Sequence, residues 1–193
     1  MGYAWRFGTS GIRARMGEGA DRLNPHSVAE IIRAVSMVLR QDYPAGGAVT
    51  VGYDSRAGSA DFARTAAEVL REHGFNVYAA DGPQPTPLLA FTVRRLGAAA
   101  GIMITASHNP PGDNGVKLYG ADGAQSGDGF NCRVEAALRA AEAADRRVPS
   151  AGWAREIPAA VEEDYLRLLL QHSGAGAADF SGLKAVYTPL GGT

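Results

Sequence analysis

The chain has 193 residues, 46% of them hydrophobic, and a formal net charge of −1 at pH 7. This length and composition allow one domain with a substantial hydrophobic core, or one domain plus a fragment of another. A net charge so close to zero argues against nucleic-acid or membrane-surface binding driven by bulk electrostatics, so we expect neither partner.

Cysteine usage and the apolar segments of the chain indicate the cellular compartment. Cys132 is the one cysteine, which excludes an internal disulfide framework and is typical of a reducing environment. The first residues lack the apolar centre of a signal peptide, and no apolar run approaches the ~20 residues that span a bilayer. We therefore expect a cytoplasmic protein.

The first predicted element is a helix that begins at Asn24-Pro25. Asparagine is a good helix cap and proline fits the first helical turn. The apolar residues from 28 to 39 then fall on one helical face. A second helix is predicted from about Ser59 to Gly74, a glycine that can end a helix in the left-handed conformation.

Predicted strands alternate with these helices at 48–52, 75–79 and 98–104, and a third helix runs from Pro87 to about Leu96. Such alternation is typical of βαβ units, in which a parallel sheet lies between helices. We predict an α/β fold, a three-layer α/β/α sandwich with a mixed, mostly parallel sheet.

The pattern changes after Lys117. Helices are predicted over 129–144 and 159–171, and the second is expected to bury Val161, Tyr165, Leu168 and Leu169. Residues 173–178 have linker composition, and an apolar strand is predicted over 183–187. We therefore divide the chain into a domain at 1–178 and, at 179–193, a linker with the first strand of a truncated second domain.

Six residues, Thr105-Ala-Ser-His-Asn-Pro110, follow the apolar strand at 98–104. In an open α/β sheet, ligands bind at the carboxyl ends of the strands. Ser107 is therefore a candidate covalent nucleophile, and His108 can orient it or contact a substrate. Lys117 follows in a short strand-like segment and can supply charge and a proton.

Two further polar segments are weaker signals. In Gly8-Thr-Ser-Gly-Ile-Arg13, the glycines allow close backbone approach, Thr9 and Ser10 add donors, and Arg13 offers a planar fork for phosphate oxygens. On spacing alone, a plain turn and a phosphate site both stay open. In Asp54-Ser-Arg56 we favour an ion pair that fixes the loop, which can also support the Ser107 loop from behind.

Other chemistries fit less well. A Ser-His-Asp hydrolase needs Gly-x-Ser-x-Gly around its nucleophile, and that motif is absent, as is a Walker-type phosphate loop. His26, His73 and His172 lie far apart on predicted helices and lack metal-ligand spacing.

Four segments in this order resemble the α-D-phosphohexomutase family, which includes phosphoglucomutase and phosphomannomutase. They are Gly-Thr-Ser-Gly-Ile-Arg at 8–13, Asp-Ser-Arg at 54–56, Thr-Ala-Ser-His-Asn-Pro at 105–110 and Asn-Gly-Val-Lys at 114–117. The resemblance covers nearly the whole chain, but only domain I of the family and the opening strand of domain II. The segments at 109–115 and 187–190 are similar to the phosphoglucomutase-2/phosphopentomutase branch.

The resemblance implies a role for each matching residue. Ser107 would carry phosphate as phosphoserine and ligate Mg²⁺ through it. Lys117 would act in general acid–base catalysis, and Arg13 would lie beside the phosphoserine and assist with charge. The residues implied to contact substrate are Thr9, Ser10, His108 and Asn109.

The implied activity is an intramolecular phosphotransferase that moves phosphate between the 1- and 6-position, or the 1- and 5-position, hydroxyls of a sugar. It would pass through phosphoserine and a sugar bisphosphate, which also serves as activator. Mg²⁺ would be held mostly by domain II, and the partners would be a phosphosugar and domains II–IV. We expect these residues alone to be inactive as a mutase. The alternative is a stand-alone, non-catalytic module that binds sugar phosphates or a protein.

Overall fold

A computed structural model describes residues 5–8, 11–140, 148, 152, 154–174 and 179–188. Its strands are β1 (Ile12–Arg15), β2 (Ala48–Tyr53), β3 (Asn76–Ala79), β4 (Ala100–Ile104), β5 (Asp113–Gly120) and β6 (Arg155–Glu156). Its helices are α1 (Pro25–Asp42), α2 (Ser59–Glu72), α3 (Thr86–Arg95), α4 (Asp128–Ala140) and α5 (Ala159–Ser173).

One six-stranded sheet joins these strands in the order β1-β5-β4-β2-β3-β6. β2 is parallel to both β3 and β4, and β3 is parallel to β6. β5 runs antiparallel to β4 on one side and to β1 on the other. The mixed, mostly parallel sheet predicted from the sequence is therefore confirmed, as is the α/β/α layering.

The two faces of the sheet carry cores of different size. Alternate residues of β4 point to opposite faces, as the strand period requires. Ile102 and Ile104 join the larger core with α1, α2 and α4. Met103 packs on the other face with Leu89 and Val93 of α3.

Helix ends follow the predicted chemistry. At the start of α1, the Asn24 side chain accepts from the Ser27 amide at 3.0 Å, while the Asn24 amide donates to Ser27 Oγ at 2.9 Å. This reciprocal capping box satisfies amides that a helix start leaves unpaired. After α2, Gly74 has φ 81° and the Phe75 amide donates to the Leu70 carbonyl at 3.1 Å. Both predicted boundaries are confirmed.

The prediction for α5 was wrong about its buried face. Of the four residues expected inside, Val161 is buried and Tyr165 is half-buried against Phe91, with ring centroids 5.5 Å apart. Leu168 and Leu169 are 39% and 46% exposed. Among the described elements, α5 packs mainly against α3 rather than against the sheet, so it has one narrow buried stripe.

Two end segments also differ from expectation. Residues 12–15, at the end of the predicted glycine-rich turn, form the edge strand β1. Residues 183–188 belong to no strand and are exposed, with Leu183 at 68% and Tyr187 at 81%. The division into two domains at residue 178 stays a prediction.

Candidate active site at the carboxyl edge of the sheet

The Ser107 loop leaves the central strand β4 at the carboxyl edge of its parallel neighbours. The Thr105 amide donates to the Gly115 carbonyl at 3.0 Å, and the Asp54 amide donates to the Ile104 carbonyl at 3.1 Å. Thr105 and Ala106 are buried, whereas Ser107 is partly exposed. The loop therefore begins inside the sheet and comes to the surface at the serine.

Ser107 has φ 57°, the only positive φ of a non-glycine residue in the described part of the chain. This left-handed conformation is uncommon for serine and persists only where surrounding contacts impose it. The Ser107 amide donates to Thr105 Oγ1 at 2.9 Å, and the Asn109 amide donates to the Ala106 carbonyl at 3.1 Å. These bonds close a tight turn with the serine near its apex.

Arg13 and Lys117 lie on one face of the sheet. Arg13 pairs directly with Gly115, two residues before Lys117 on β5, so both side chains project from the same side. A Cβ at Gly115 would lie 3.2 Å from Arg13 Cγ and 2.7 Å from the Thr105 carbonyl oxygen. Glycine at 115 therefore leaves room for the Arg13 side chain to cross β5 toward the loop.

Arg13 reaches the Ser107 loop through Asn109. Arg13 Nη1 donates to Asn109 Oδ1 at 2.8 Å, and Asn109 Nδ2 donates to Asp113 Oδ2 at 2.9 Å. The carboxamide of Asn109, two residues after Ser107, thus bridges the Arg13 guanidinium and the Asp113 carboxylate. Its implied contact with substrate stays a prediction, as does that of His108, which is exposed next to the serine.

Lys117 is half-buried beside Arg13 and has a perturbed pKa. Burial lowers the pKa of Lys117 below its usual 10.5, because it disfavours the charged ammonium, and the nearby Arg13 cation lowers it further. Asp54 opposes this shift. The neutral amine, which can accept a proton, is therefore formed at lower pH than for a free lysine.

Asp54 and Arg56 form a buried ion pair, with Arg56 Nε 3.2 Å from Asp54 Oδ2. The Arg56 guanidinium also donates to backbone carbonyls of the Ser107 loop. Both parts of the sequence interpretation, a loop-fixing ion pair and support from behind, are confirmed. No sequence signal indicated how many carbonyls one side chain would contact.

Sequence reasoning assigned no role to three residues of this region: Thr105 and Asn114, which lie within the quoted motifs, and Asp113. Asp113 and Asn114 sit inside the predicted loop-and-strand segment, where their polar side chains at the start of β5 were the available signal. Thr9 and Ser10, predicted to bind substrate, lie outside the described residues.

The described residues offer few ligands for magnesium. Nowhere among them do three or more histidine, cysteine, aspartate or glutamate side chains cluster as metal ligands. Asp54 forms an ion pair with Arg56, and Asp113 accepts a hydrogen bond from Asn109. Mg²⁺ prefers six oxygen ligands in near-octahedral geometry. A phosphate on Ser107 would supply one ligand, so these residues do not form a magnesium site by themselves.

Comparison with known proteins decides the family. Residues 5–145 match the family model described as phosphoglucomutase/phosphomannomutase, alpha/beta/alpha domain I. The chain belongs to the phosphoglucomutase/phosphomannomutase family. The matched region contains β1 to β5 and the whole Ser107 loop, so this family resemblance includes the candidate site itself.

Individual relatives agree with the family assignment. The chain is 37% identical over 193 residues to a phosphoglucomutase of Staphylococcus epidermidis and 35% identical over 192 residues to one of Staphylococcus aureus. A solved structure from Thermus thermophilus, described as a phosphomannomutase, superposes with a TM-score of 0.75 at 33% identity over 89% of this chain.

The chain spans only part of these family members. The match to the S. epidermidis protein takes in 97% of this chain but 35% of that protein, and the match to the Thermus structure takes in 37% of its chain. The whole-enzyme activity of those proteins is therefore a proposal for this chain. Within the described ranges, no helix combines the length and apolarity needed to cross a bilayer.

Proposed function

We propose that this chain is the serine-bearing domain of a phosphosugar mutase, with Ser107 as the group that carries phosphate. One observation supports it most: a serine is held at φ 57° at the sheet's carboxyl edge, on the loop that Arg13 contacts. Backbone outliers of this kind cluster at functional sites. The alternative of a non-catalytic module gives no reason for a strained serine there.

The proposed transfer balances as two steps. In the first, the bond from Ser107 Oγ to phosphorus breaks, a free hydroxyl of a sugar monophosphate bonds to that phosphorus, and the product is a sugar bisphosphate. In the second, the other phosphate of the bisphosphate returns to Ser107 Oγ, leaving an isomeric monophosphate. Phosphoryl transfer of this type depends mainly on positioning and charge neutralisation.

The described residues supply both requirements. In the first step Lys117, with its lowered pKa, takes the proton of the attacking sugar hydroxyl and gives it to Ser107 Oγ as that oxygen leaves. In the second step Lys117 takes the proton back from Ser107 and gives it to the leaving sugar oxygen. Arg13 offers guanidinium donors for phosphate oxygens on the Asn109 side of the loop. Mg²⁺, when bound, adds charge neutralisation at the phosphate. Most of its ligands would come from outside the described residues.

Glucose 1-phosphate or a pentose 1-phosphate is the substrate class that we propose. The supporting signal is the similarity of the segments at 109–115 and 187–190 to the phosphoglucomutase-2/phosphopentomutase branch. The curated relatives named phosphoglucomutase support the same direction.

The test is phosphate incorporation from a labelled glucose bisphosphate into the full-length natural protein that carries this sequence. We expect one labelled site, lost in Ser107→Ala and retained in Ser181→Ala, an exposed serine outside the site. Equal labelling of the wild type and Ser107→Ala would refute the proposal. The 193 residues alone, supplied with Mg²⁺, should not approach the roughly 10 turnovers per second of ordinary enzymes.

A further inference from the structure

Arg56 lies behind the Ser107 loop and is buried, with 8% of its surface exposed. Its two terminal nitrogens donate to four backbone carbonyls across residues 107–113. Nη2 donates to the carbonyls of Ser107 and Asn109, the second at 2.8 Å. Nη1 donates to Pro110 at 2.9 Å and to Asp113 at 3.2 Å. One side chain therefore holds the whole turn.

The Asp54 carboxylate neutralises the charge of this guanidinium on the side away from the Ser107 turn. Asp54 is fully buried and its Oδ2 lies 3.2 Å from Arg56 Nε. Asp54 Oδ1 accepts from Ser59 Oγ at 2.7 Å and from the Arg56 amide at 3.1 Å. Because a buried cation is tolerated only when paired and hydrogen-bonded, Asp54 is what allows Arg56 to sit there.

A further hydrogen bond ties the pair to β5. Asn114 Nδ2 donates to Ser59 Oγ at 2.9 Å, and Asn114 Oδ1 accepts from the Gly115 amide at 2.8 Å. The network thus joins the end of β2, the start of α2 and the start of β5. These are rigid elements, and the Ser107 turn is fastened to them.

The contacts of Arg56 bear directly on the conformation of Ser107. Thr105 holds the Ser107 amide, and Arg56 holds the Ser107 carbonyl, so the peptide planes on both sides of the serine are fixed. A left-handed serine relaxes unless its surroundings determine it. Fixing both planes fixes the direction in which the Cα–Cβ bond of Ser107 leaves the backbone, and with it the position from which Oγ is presented.

We propose that Arg56 is a positioning residue for phosphoryl transfer at Ser107. It holds the serine turn in its left-handed form and does not touch the phosphate itself. The inference rests on the proposed function for its kinetic consequence only. The hydrogen bonds from Arg56 to the four carbonyls, which we call the Arg56 clamp, can be measured without substrate. Arg56→Lys keeps the charge but replaces a five-donor fork with a compact ammonium that cannot span four carbonyls.

The first experiment measures amide hydrogen exchange by NMR in the 193-residue chain. In Arg56→Lys, we expect the Ser107, Asn109 and Asp113 amides to exchange at least about tenfold faster, the size of effect of losing charge-assisted hydrogen bonds. Amides in α1 should change far less. Unchanged loop exchange, or an equal rise throughout the chain, would overturn the proposal.

Arg133→Lys is the matched control. Arg133 also donates hydrogen bonds to a carboxylate, that of Asp42, and to the Val38 carbonyl. Unlike Arg56, it lies on α4 and its side chain is 42% exposed. The same chemical change there should leave exchange in the Ser107 turn unaltered.

A measurement on the unaltered chain covers the case in which Arg56→Lys does not fold. In protein labelled with ¹⁵N-arginine, a clamped guanidinium rotates slowly about its Nε–Cζ bond and shows separate Nη signals. We expect resolved Nη signals for Arg56. A single averaged signal would contradict the clamp.

The kinetic experiment separates positioning from mere stability. In the full-length natural protein, Arg56→Lys should lower the saturated rate of phosphate transfer from a sugar bisphosphate to Ser107 by about 100-fold. The half-saturating bisphosphate concentration should stay within about threefold, because Arg56 does not contact substrate. An unchanged saturated rate with a loosened turn would overturn the positioning role. If the wild type transfers no phosphate, the proposed function fails while the exchange results still stand.

Discussion

Lys117 is the residue whose chemistry depends most on its surroundings. Its charged form is disfavoured in the folded chain by burial and by Arg13. The unfolded state therefore binds this proton more tightly. Lys117 should therefore increase the free energy of unfolding as pH rises from its lowered folded-state pKa to 10.5. This added stability is lost again as pH falls through the same range.

Competitive acetylation across pH measures this pKa. The sequence has two lysines, Lys117 and Lys184, so each labelled peptide is unambiguous. We expect Lys117 to titrate below 10.5. Arg13→Met should move that midpoint upward, because it removes a neighbouring cation, whereas Arg133→Met should not. A Lys117 midpoint at or above 10.5 would remove the basis for its proton-transfer role.

Gly115 is the second residue whose identity the site requires. A Cβ at this position would lie 2.6 Å from the Ile12 carbonyl oxygen and 2.7 Å from that of Thr105. Those backbone atoms belong to paired strands or to the start of the Ser107 loop, so they cannot move freely. Alanine at 115 would press β1 and the loop apart.

Gly115→Ala should therefore lower the free energy of unfolding by about 1–3 kcal/mol, as overpacking does in a close-packed interior. Urea denaturation measures the change. Gly112→Ala is the control, because a Cβ there meets nothing within 4 Å, and its effect should stay within about 0.5 kcal/mol. Equal effects of the two substitutions would contradict close packing around Gly115.

At the scale of elements, the start of α1 depends on a single asparagine. Besides capping the helix, Asn24 Nδ2 donates to the carbonyls of Gly17, Gly19 and Arg22, at 3.0, 3.1 and 3.2 Å. One side chain thus fastens the segment between β1 and α1 while it caps the helix.

Two substitutions separate these roles. Asn24→Asp keeps the oxygen that caps α1 but loses the donors, whereas Asn24→Ala loses both. Since a lost cap costs about 1 kcal/mol, thermal or urea unfolding should rank the free energies wild type, Asn24→Asp, Asn24→Ala, with Asn24→Ala about 1–2 kcal/mol below wild type. Asn24→Ala at or above Asn24→Asp would contradict the capping role.

The elements that sequence patterns predicted well are those with strong local signals. The caps of α1 and α2 and the apolar run of β4 are local, so helix starts and the position of the Ser107 loop followed from them. β1 is four residues long and partly exposed, and it exists because β5 offers it an edge. That pairing joins residues about a hundred positions apart, beyond the reach of local patterns.

The same limit applies within the site. Ser107, Lys117 and Arg13 could be chosen from their residue types and motifs. The carbonyls that Arg56 contacts lie 51 to 57 residues away in sequence, and carbonyls carry no residue-type signal. The prediction of the buried face of α5 was wrong for a related reason. The leucines of α5 have a helical spacing, but that spacing does not indicate how many neighbouring elements the helix packs against.

For the molecule as a whole, the fold brings four separate segments to one sheet edge. β1 contributes Arg13, the end of β2 contributes Asp54 and Arg56, and β4 and β5 contribute the serine loop and Lys117. This is where parallel α/β sheets bind ligands. The chain belongs to the phosphoglucomutase/phosphomannomutase family and spans 35% of the length of the Staphylococcus epidermidis relative.

Transfer of phosphate from the protein to a sugar is the measurement that shows whether Ser107 both receives and passes on a phosphoryl group. The full-length natural protein is first loaded with phosphate and freed of the donor. Glucose 1-phosphate is then added, and intact mass and ³¹P NMR follow the protein and the sugar together. We predict that the protein loses one phosphate, mapped to Ser107, as an equal amount of glucose bisphosphate appears. Phosphate that stays on Ser107, or that is released only as inorganic phosphate, would contradict this role of Ser107.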